Sequence, residues 1–244
     1  MNSYEQNIQI DLKKWQQQML RKPTLFSRVT RRVQTKINNI IPEKVHQAIT
    51  ATIKQMIRAV IFGAKITAPA TIKEGTLADR ETTIEEKITI YRNTAAAEGG
   101  ITGAGGLLLG LADFPILIGI KLKLLFDIAS QYGYNVEDYK ERIYILYIFQ
   151  LAFSSQQQRR EVYLKMEHWG TQKHKLPEDI HAFDWRTFQQ EYRDYIDLAK
   201  MAQLIPIIGA PVGAVVNYRL IRKLGHTAMM AYRMRYFEEK SIKY

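Results

Sequence analysis

The chain has 244 residues, a formal charge of +11 and no cysteine. That length can bury a core without covalent staples. The missing cysteines exclude disulfides, thiolate metal sites and a cysteine nucleophile, and point to a reducing, cytoplasmic setting.

The stretch Met1-Asn-Ser-Tyr-Glu5 carries an acid and no apolar run, so it does not read as a secretory signal. No strand alternation and no fixed-period repeat occur. Helical spacing recurs instead, and it predicts an all-α, single multi-helix domain. Ile8, Leu12, Trp15 and Met19 form one apolar stripe, and Phe26, Val33, Ile37 and Ile40 a second. Together they predict a mobile, basic, amphipathic helical arm over 1–41, ahead of a helical domain over 42–244. Pro42 opens a helix at a position that tolerates proline, with Val45, Ile49, Ile53, Ile57 and Val60 on one face. Residues 65–80, with Pro69 and Gly75, read as a loop. Thr83-Ile-Glu-Glu86 has capping-box spacing, and Ile84, Ile88, Tyr91 and Ala95 follow as a stripe.

Further on, Asp113-Phe-Pro115 reads as an N-cap with proline in the first turn, and Gly133 as the left-handed stop of that helix. The next helix starts at Asn135 with Glu137 and Asp138 and runs through Leu151. Another covers Ser155 to about Trp169, and 170–184 reads as a connector. Asp184 caps a helix to about Leu204. A glycine- and proline-bearing segment, Ile205 to Arg219, precedes a final amphipathic helix from His226 to Glu239.

Six of the fourteen glycines fall between Gly99 and Gly110. Each costs a helix interior roughly 1 kcal/mol relative to alanine, so the segment is kept for close backbone approach or for bending. Gly99 and Gly103, Gly106 and Gly110, and Gly209 and Gly213 all have small-xxx-small spacing, which lets a neighbouring helix pack tightly. Both glycine regions are long without charge. Asp113, Pro115, Pro206 and Pro211 interrupt them, so neither is a clean span of about 20 apolar residues. A buried helical hairpin and an interfacial insertion both remain open. The glycines do not form a nucleotide cradle: the last glycine of the dinucleotide fingerprint is missing, a helix precedes them, and no P-loop lysine follows.

Thr94-Ala-Ala-Ala-Glu98-Gly-Gly-Ile-Thr102-Gly103-Ala-Gly-Gly106, then Asp113-Phe-Pro115, then Ile128-Ala-Ser-Gln-Tyr132-Gly133 closely resemble the signature of the EcsC family. The segment Ile205-Pro-Ile-Ile-Gly209-Ala-Pro-Val-Gly213-Ala-Val-Val-Asn217-Tyr218 is similar to that family's second motif. The Trp15 region, Val33 to Asn38, Ile41-Pro-Glu-Lys44 and Ile148 to Ser155 add to the likeness, which covers nearly the whole chain. Asn135 stands where an acid is expected, and as a helix cap the two are interchangeable. The resemblance implies an accessory protein encoded, in Bacillus-type bacteria, beside the ATPase and membrane subunits of an ABC exporter tied to secretion and peptide processing. It carries motif positions, Glu98, Gly99, Thr102, Gly103, Gly106, Asp113, Pro115, Gly209, Gly213 and Asn217, but no roles, no cofactor and no catalytic residue.

Among other candidates, His168, His174 and His181 have spacings that match no helix-face metal pattern, so no metal site is expected. Glu98 and Asp113 invite an acid/base reading, since carboxylates in apolar settings have raised pKa values. The competing reading has Asp113 capping its helix and Glu98 pairing with Arg92 or Lys121.

The positive charge is concentrated near the two ends. Lys13, Lys14, Arg21, Lys22, Arg28, Arg31, Arg32 and Lys36 occur with no acid between Leu12 and Pro42. Lys200, Arg219, Arg222, Lys223, Arg233 and Arg235 occur with none between Leu198 and Phe237. Such blocks are either a solvated face or a match for a polyanion. With Trp15 and Phe26 interleaved, the first block reads as an arm for an anionic membrane surface, peripheral to the inner face of the plasma membrane. No nucleic-acid motif accompanies it. The reading is therefore a non-enzymatic, membrane-surface accessory protein working with an ABC exporter. The alternative is an enzyme or small-ligand or lipid binder using Glu98, Asp113 and Asn217 in a pocket between the two glycine-rich motifs.

Overall fold

A computed structural model describes residues 3–21, 43–62, 70–72, 74–104, 106–155, 158–196 and 210–242, with the backbone alone described at 46, 62, 99–104, 106–112, 210–213 and 242. The expected boundary at 41/42 lies outside these residues, as do Lys22, Arg28, Arg31, Arg32, Lys36 and Gly209. The described residues form nine α-helices: α1 (Ser3–Leu20), α2 (Glu43–Phe62), α3 (Leu77–Ala104), α4 (Gly106–Gln131), α5 (Tyr139–Phe153), α6 (Arg159–Met166), α7 (Trp169–Gln172), α8 (Trp185–Tyr195) and α9 (Ala210–Ile242). Two 3-10 turns, Lys173–Lys175 and Ile180–Ala182, join α7 to α8. Among the described residues the only β-type pairing is an isolated bridge between Ser154 and Ile196. The fold is all-α.

Local chemistry explains most helix ends. Gly133 takes φ +91°, its N–H donates to Ser130 O at 3.0 Å and that of Tyr134 to Ala129 O at 3.1 Å, which closes α4 as expected. Asp138 caps α5 by accepting from Lys140 N at 2.9 Å, and Asp184 caps α8 by accepting from Thr187 N at 3.0 Å. The start of α3 differs from expectation. Thr76 N–H donates to Asp79 Oδ2 at 3.0 Å and Asp79 N–H to Thr76 Oγ1 at 3.3 Å, so the capping box sits seven residues before Thr83. Thr83 lies inside the helix, its hydroxyl donating to Asp79 O.

Asp113 is likewise no N-cap. The helix begins at Gly106, and Asp113 and Pro115 both lie within it. Leucines and alanine favour helix up to that point, and the exposed Pro115 ring forfeits one backbone hydrogen bond without meeting a packed neighbour. Residues 210–242 form one 33-residue helix, not a glycine-rich segment followed by a separate one.

Helix α9 is the spine. Glu81 pairs with Arg233, Ile88 faces Gly225, and Arg92 stacks on Tyr218, so α3 runs antiparallel to α9. Tyr91 donates to Asp127 Oδ2 at 2.7 Å and Tyr132 to Glu81 Oε1 at 2.7 Å, which makes α3 and α4 an antiparallel hairpin. Glu141 meets Arg235, and Tyr144 donates to Ala231 O at 2.9 Å, which sets α5 antiparallel to α9 on another side. The stripe Ile8, Leu12, Trp15 and Met19 is buried, and α1 docks on α6 and α9. Residues 3–20 thus join the core and do not form a free arm.

The α3–α9 contact is closest at Gly225. A Cβ built there would lie 2.6 Å from Ile88 Cδ1 and 2.7 Å from its Cγ1. Only glycine admits the isoleucine at this crossing.

Candidate functional site

The antiparallel register brings the two glycine-rich motifs to one end of the α3–α4–α9 layer. Gly99, Thr102 and Gly103 occupy the C-terminal turns of α3, Gly106 is the first residue of α4, and Gly213 lies in the first turn of α9. Glu98 and Asp113 are half-buried on α3 and α4, and Pro115 is exposed.

Asn217 is the motif residue with the clearest role. It is fully buried, and its Oδ1 accepts from Lys121 Nζ at 3.1 Å. Lys121 is also fully buried, and its ammonium donates a second hydrogen bond to Leu117 O at 3.2 Å. No carboxylate lies within ion-pair distance of Lys121 among the described residues. Desolvation lowers its pKa from 10.5 to about 7. One residue on, Tyr218 carries the Arg92 guanidinium 4.4 Å from its ring centroid, and Arg92 Nε is buried without an acceptor among the described residues. Two cations from α3 and α4 therefore flank the pair 217–218. The buried Lys121 ammonium suits an anion or a tight helix contact.

The linear pattern offers Lys121 only as a partner for Glu98, yet its place is legible: Phe114, Ile118, Leu125 and Ile128 form a buried stripe with position 121 at its centre. A lysine in such a stripe is a buried lysine.

The opposite end of α9 carries charges that segment counting misassigns. Arg233 donates from Nε to Glu81 Oε1 at 2.8 Å and from Nη2 to Oε2 at 2.6 Å, while the Tyr4 and Tyr132 hydroxyls donate to the same carboxylate. Arg235 is 4% exposed, donates to Glu141 Oε2 at 2.6 Å and lies 3.7 Å from the Tyr134 ring centroid. Burial and the Glu81 partner raise the pKa of Tyr4 to about 12. Two members of the C-terminal basic block therefore face inward: Arg233 and Arg235 neutralise acids from other helices, while the exposed Lys223 donates to Ala152 O. Arg219 and Arg222 are exposed, and Lys200 lies outside the described residues.

The N-terminal block divides differently. Lys13, Lys14 and Arg21 are exposed, with Lys14 3.7 Å from Asp11. Trp15, expected at the headgroup level, is 6% exposed and meets Tyr163 edge-on at 5.8 Å. Its stripe found a protein surface on α6 and α9, so the ring is not free to insert into lipid. Among the described residues no helix is long and apolar enough to cross a membrane. In α4 the charges of Asp113, Lys121, Lys123 and Asp127 interrupt the apolar run.

An all-α fold with these paired motifs defines an EcsC-type protein. The EcsC protein family model matches residues 6–237, and the chain belongs to that family. It is 44% identical to Protein EcsC of Bacillus subtilis (strain 168), over 92% of this chain and 93% of that one. It is 31% identical to Uncharacterized protein YdbA of the same strain, over 61% of this chain and 54% of that one. No solved structure matches the chain.

Proposed function

We propose that this protein is a non-enzymatic accessory protein that associates with the anionic inner surface of the plasma membrane beside an ABC exporter. The observation that carries the reading is the run of eight bases without an acid between Leu12 and Pro42, of which Lys13 and Lys14 on α1 and Arg21 just after it are exposed. At about 1 kcal/mol per base near an anionic surface, such a run supports reversible attachment. With Trp15 committed to the core, the attachment is electrostatic and not insertive, so it weakens steeply with salt. The reducing composition and the family's resemblance-based link to an exporter supply the setting and the partner. Co-purification of the tagged chain with exporter subunits from solubilised membranes tests the partner. Sedimentation with phosphatidylglycerol vesicles tests the surface.

A second reading, a small-ligand or lipid site between the two glycine-rich motifs, draws on Lys121. A buried ammonium beside Asn217, with no counter-ion among the described residues, is a natural mate for an anionic group. The complete burial of both partners favours a closed seam over an open pocket, so the accessory role stands first. Under that reading the glycine-rich end provides a rigid surface for a membrane or transporter contact.

A further inference from the structure

A groove of about 220 Å³ runs between α2 and α8. Three cations line it, Lys54 from α2 and Arg186 and Arg193 from α8, and no carboxylate does. Lys54 and Arg186 form no ion pair among the described residues, although Asp184 is near enough to Arg186 to feel its charge, and Arg193 donates to its exposed neighbour Asp194 at 3.3 Å. Thr50, Gln189 and Gln190 add a hydroxyl and two amides, and the buried Ile53 and Ile57 form the floor.

The two helix faces match in spacing. Thr50, Ile53, Lys54 and Ile57, and Arg186, Gln189, Gln190 and Arg193, each follow the i, i+3, i+4, i+7 pattern of one helical stripe. The apolar side of α8 is satisfied elsewhere: Phe188 meets Tyr147 at 5.7 Å, and Tyr192 is buried with its hydroxyl on Leu146 O. What α8 turns toward α2 is an arginine–glutamine stripe over two isoleucines. Ile53 and Ile57 are already covered, so the basic stripe is not needed to pack them, and like charges gathered at one groove repel. Arginine forks and amide N–H groups are the donor set that recognises phosphate oxygens. A space of about 220 Å³ admits a phosphate ester.

We propose that the α2–α8 groove is a phosphate-binding site, taking a phospholipid headgroup or a free phosphate ester. The lipid version deepens the membrane-surface reading and rests on it; the soluble version does not.

The test titrates inorganic phosphate and glycerol 1-phosphate into the full chain by calorimetry at fixed ionic strength, and measures phosphatidylglycerol-vesicle sedimentation in parallel. Three proteins are compared: wild type, Lys54→Gln/Arg186→Gln/Arg193→Gln, and Lys13→Gln/Lys14→Gln/Arg21→Gln, which removes equal charge elsewhere. All six positions are exposed, so matching circular-dichroism melts are expected. At least tenfold weaker phosphate-ester binding in the groove variant alone supports the site. Weaker vesicle binding by that variant than by the charge-matched control assigns the lipid source, and unchanged vesicle binding assigns the soluble one. Phosphate-ester affinity equal in all three proteins, or absent from wild type at millimolar ligand, overturns the proposal. Loss of vesicle binding in the α1 variant with phosphate binding intact bears on the membrane reading alone.

Discussion

Lys121 Nζ donates to Asn217 Oδ1 at 3.1 Å, and neither side chain reaches solvent. This contact ties the second glycine-rich motif, on α9, to α4, and it does so with a charge that has no counter-ion among the described residues. Helices that approach closely enough to need glycine exclude the water that would otherwise solvate an ammonium. The pairing with a neutral amide satisfies the geometry but not the charge.

The pH dependence of stability follows from that burial. The folded-state pKa of Lys121, about 7, lies below its ordinary value of 10.5. Between those values the unfolded chain binds more protons, so the contribution of Lys121 to unfolding free energy rises with pH across that window. Below about pH 7 the penalty is fully present, on the order of 5 kcal/mol. Lys121→Met is therefore expected to be more stable than wild type at pH 6, less the roughly 1–3 kcal/mol for leaving Asn217 Oδ1 short of a donor. The advantage shrinks toward pH 10. Urea unfolding of both proteins at pH 6, 8 and 10 checks this, and a wild-type advantage at pH 6 contradicts it.

Gly225 is the glycine whose packing role is most direct. Gly225→Ala pushes a Cβ to 2.6 Å from Ile88. Overpacking costs about 1–3 kcal/mol and helix propensity returns about 1, so a net loss of up to about 2 kcal/mol is expected. Ile88→Ala makes the room that the new methyl needs. In the double variant the loss from Gly225→Ala should vanish, and a thermodynamic cycle reads the coupling directly. Additive losses would place the strain somewhere other than this crossing.

The Glu81–Arg233 pair predicts a second cycle. Glu81→Gln leaves a buried guanidinium without its carboxylate, a loss of about 3–5 kcal/mol. Arg233→Met strands the carboxylate in turn, with the Tyr4 and Tyr132 hydroxyls still donating to it. Glu81→Leu/Arg233→Met should cost clearly less than the two single losses together. Chemical denaturation measures all of these, and a double variant as poor as the sum would mean that the charges do not act as a pair.

These cases also define what a linear reading could and could not reach. The helical period, the Gly133 stop and the Asp184 cap are local, and each was legible because neighbours in sequence decide it. Asp113-Phe-Pro115 misleads because proline marks a first turn more often than an interior one, whereas here Pro115 sits inside the helix at the cost of a hydrogen bond and of crowding against the carbonyl four residues before it. Arg233 and Arg235 were counted as a basic block, since their neutralising acids, Glu81 and Glu141, come from helices far away in sequence. Trp15 was read as a membrane anchor because its apolar stripe requires a cover, and the sequence does not distinguish lipid from α6 and α9. The contact between Lys121 and Asn217 is half legible, since the motif marks Asn217 while nothing local to Lys121 names its partner on α9.

The membrane-surface role is tested most directly by the basic run itself. Sedimentation with phosphatidylglycerol and phosphatidylcholine vesicles, at low and high salt, should be measured for wild type and for Arg28→Gln/Arg31→Gln/Arg32→Gln/Lys36→Gln. The account predicts binding to the anionic vesicles only, lost at high salt. It also predicts weakening of roughly a thousandfold in the variant, from about 4 kcal/mol at about 1 kcal/mol per base. Equal binding to both vesicle types, or none to either, would contradict it and leave an acidic protein partner as the reason for the charge.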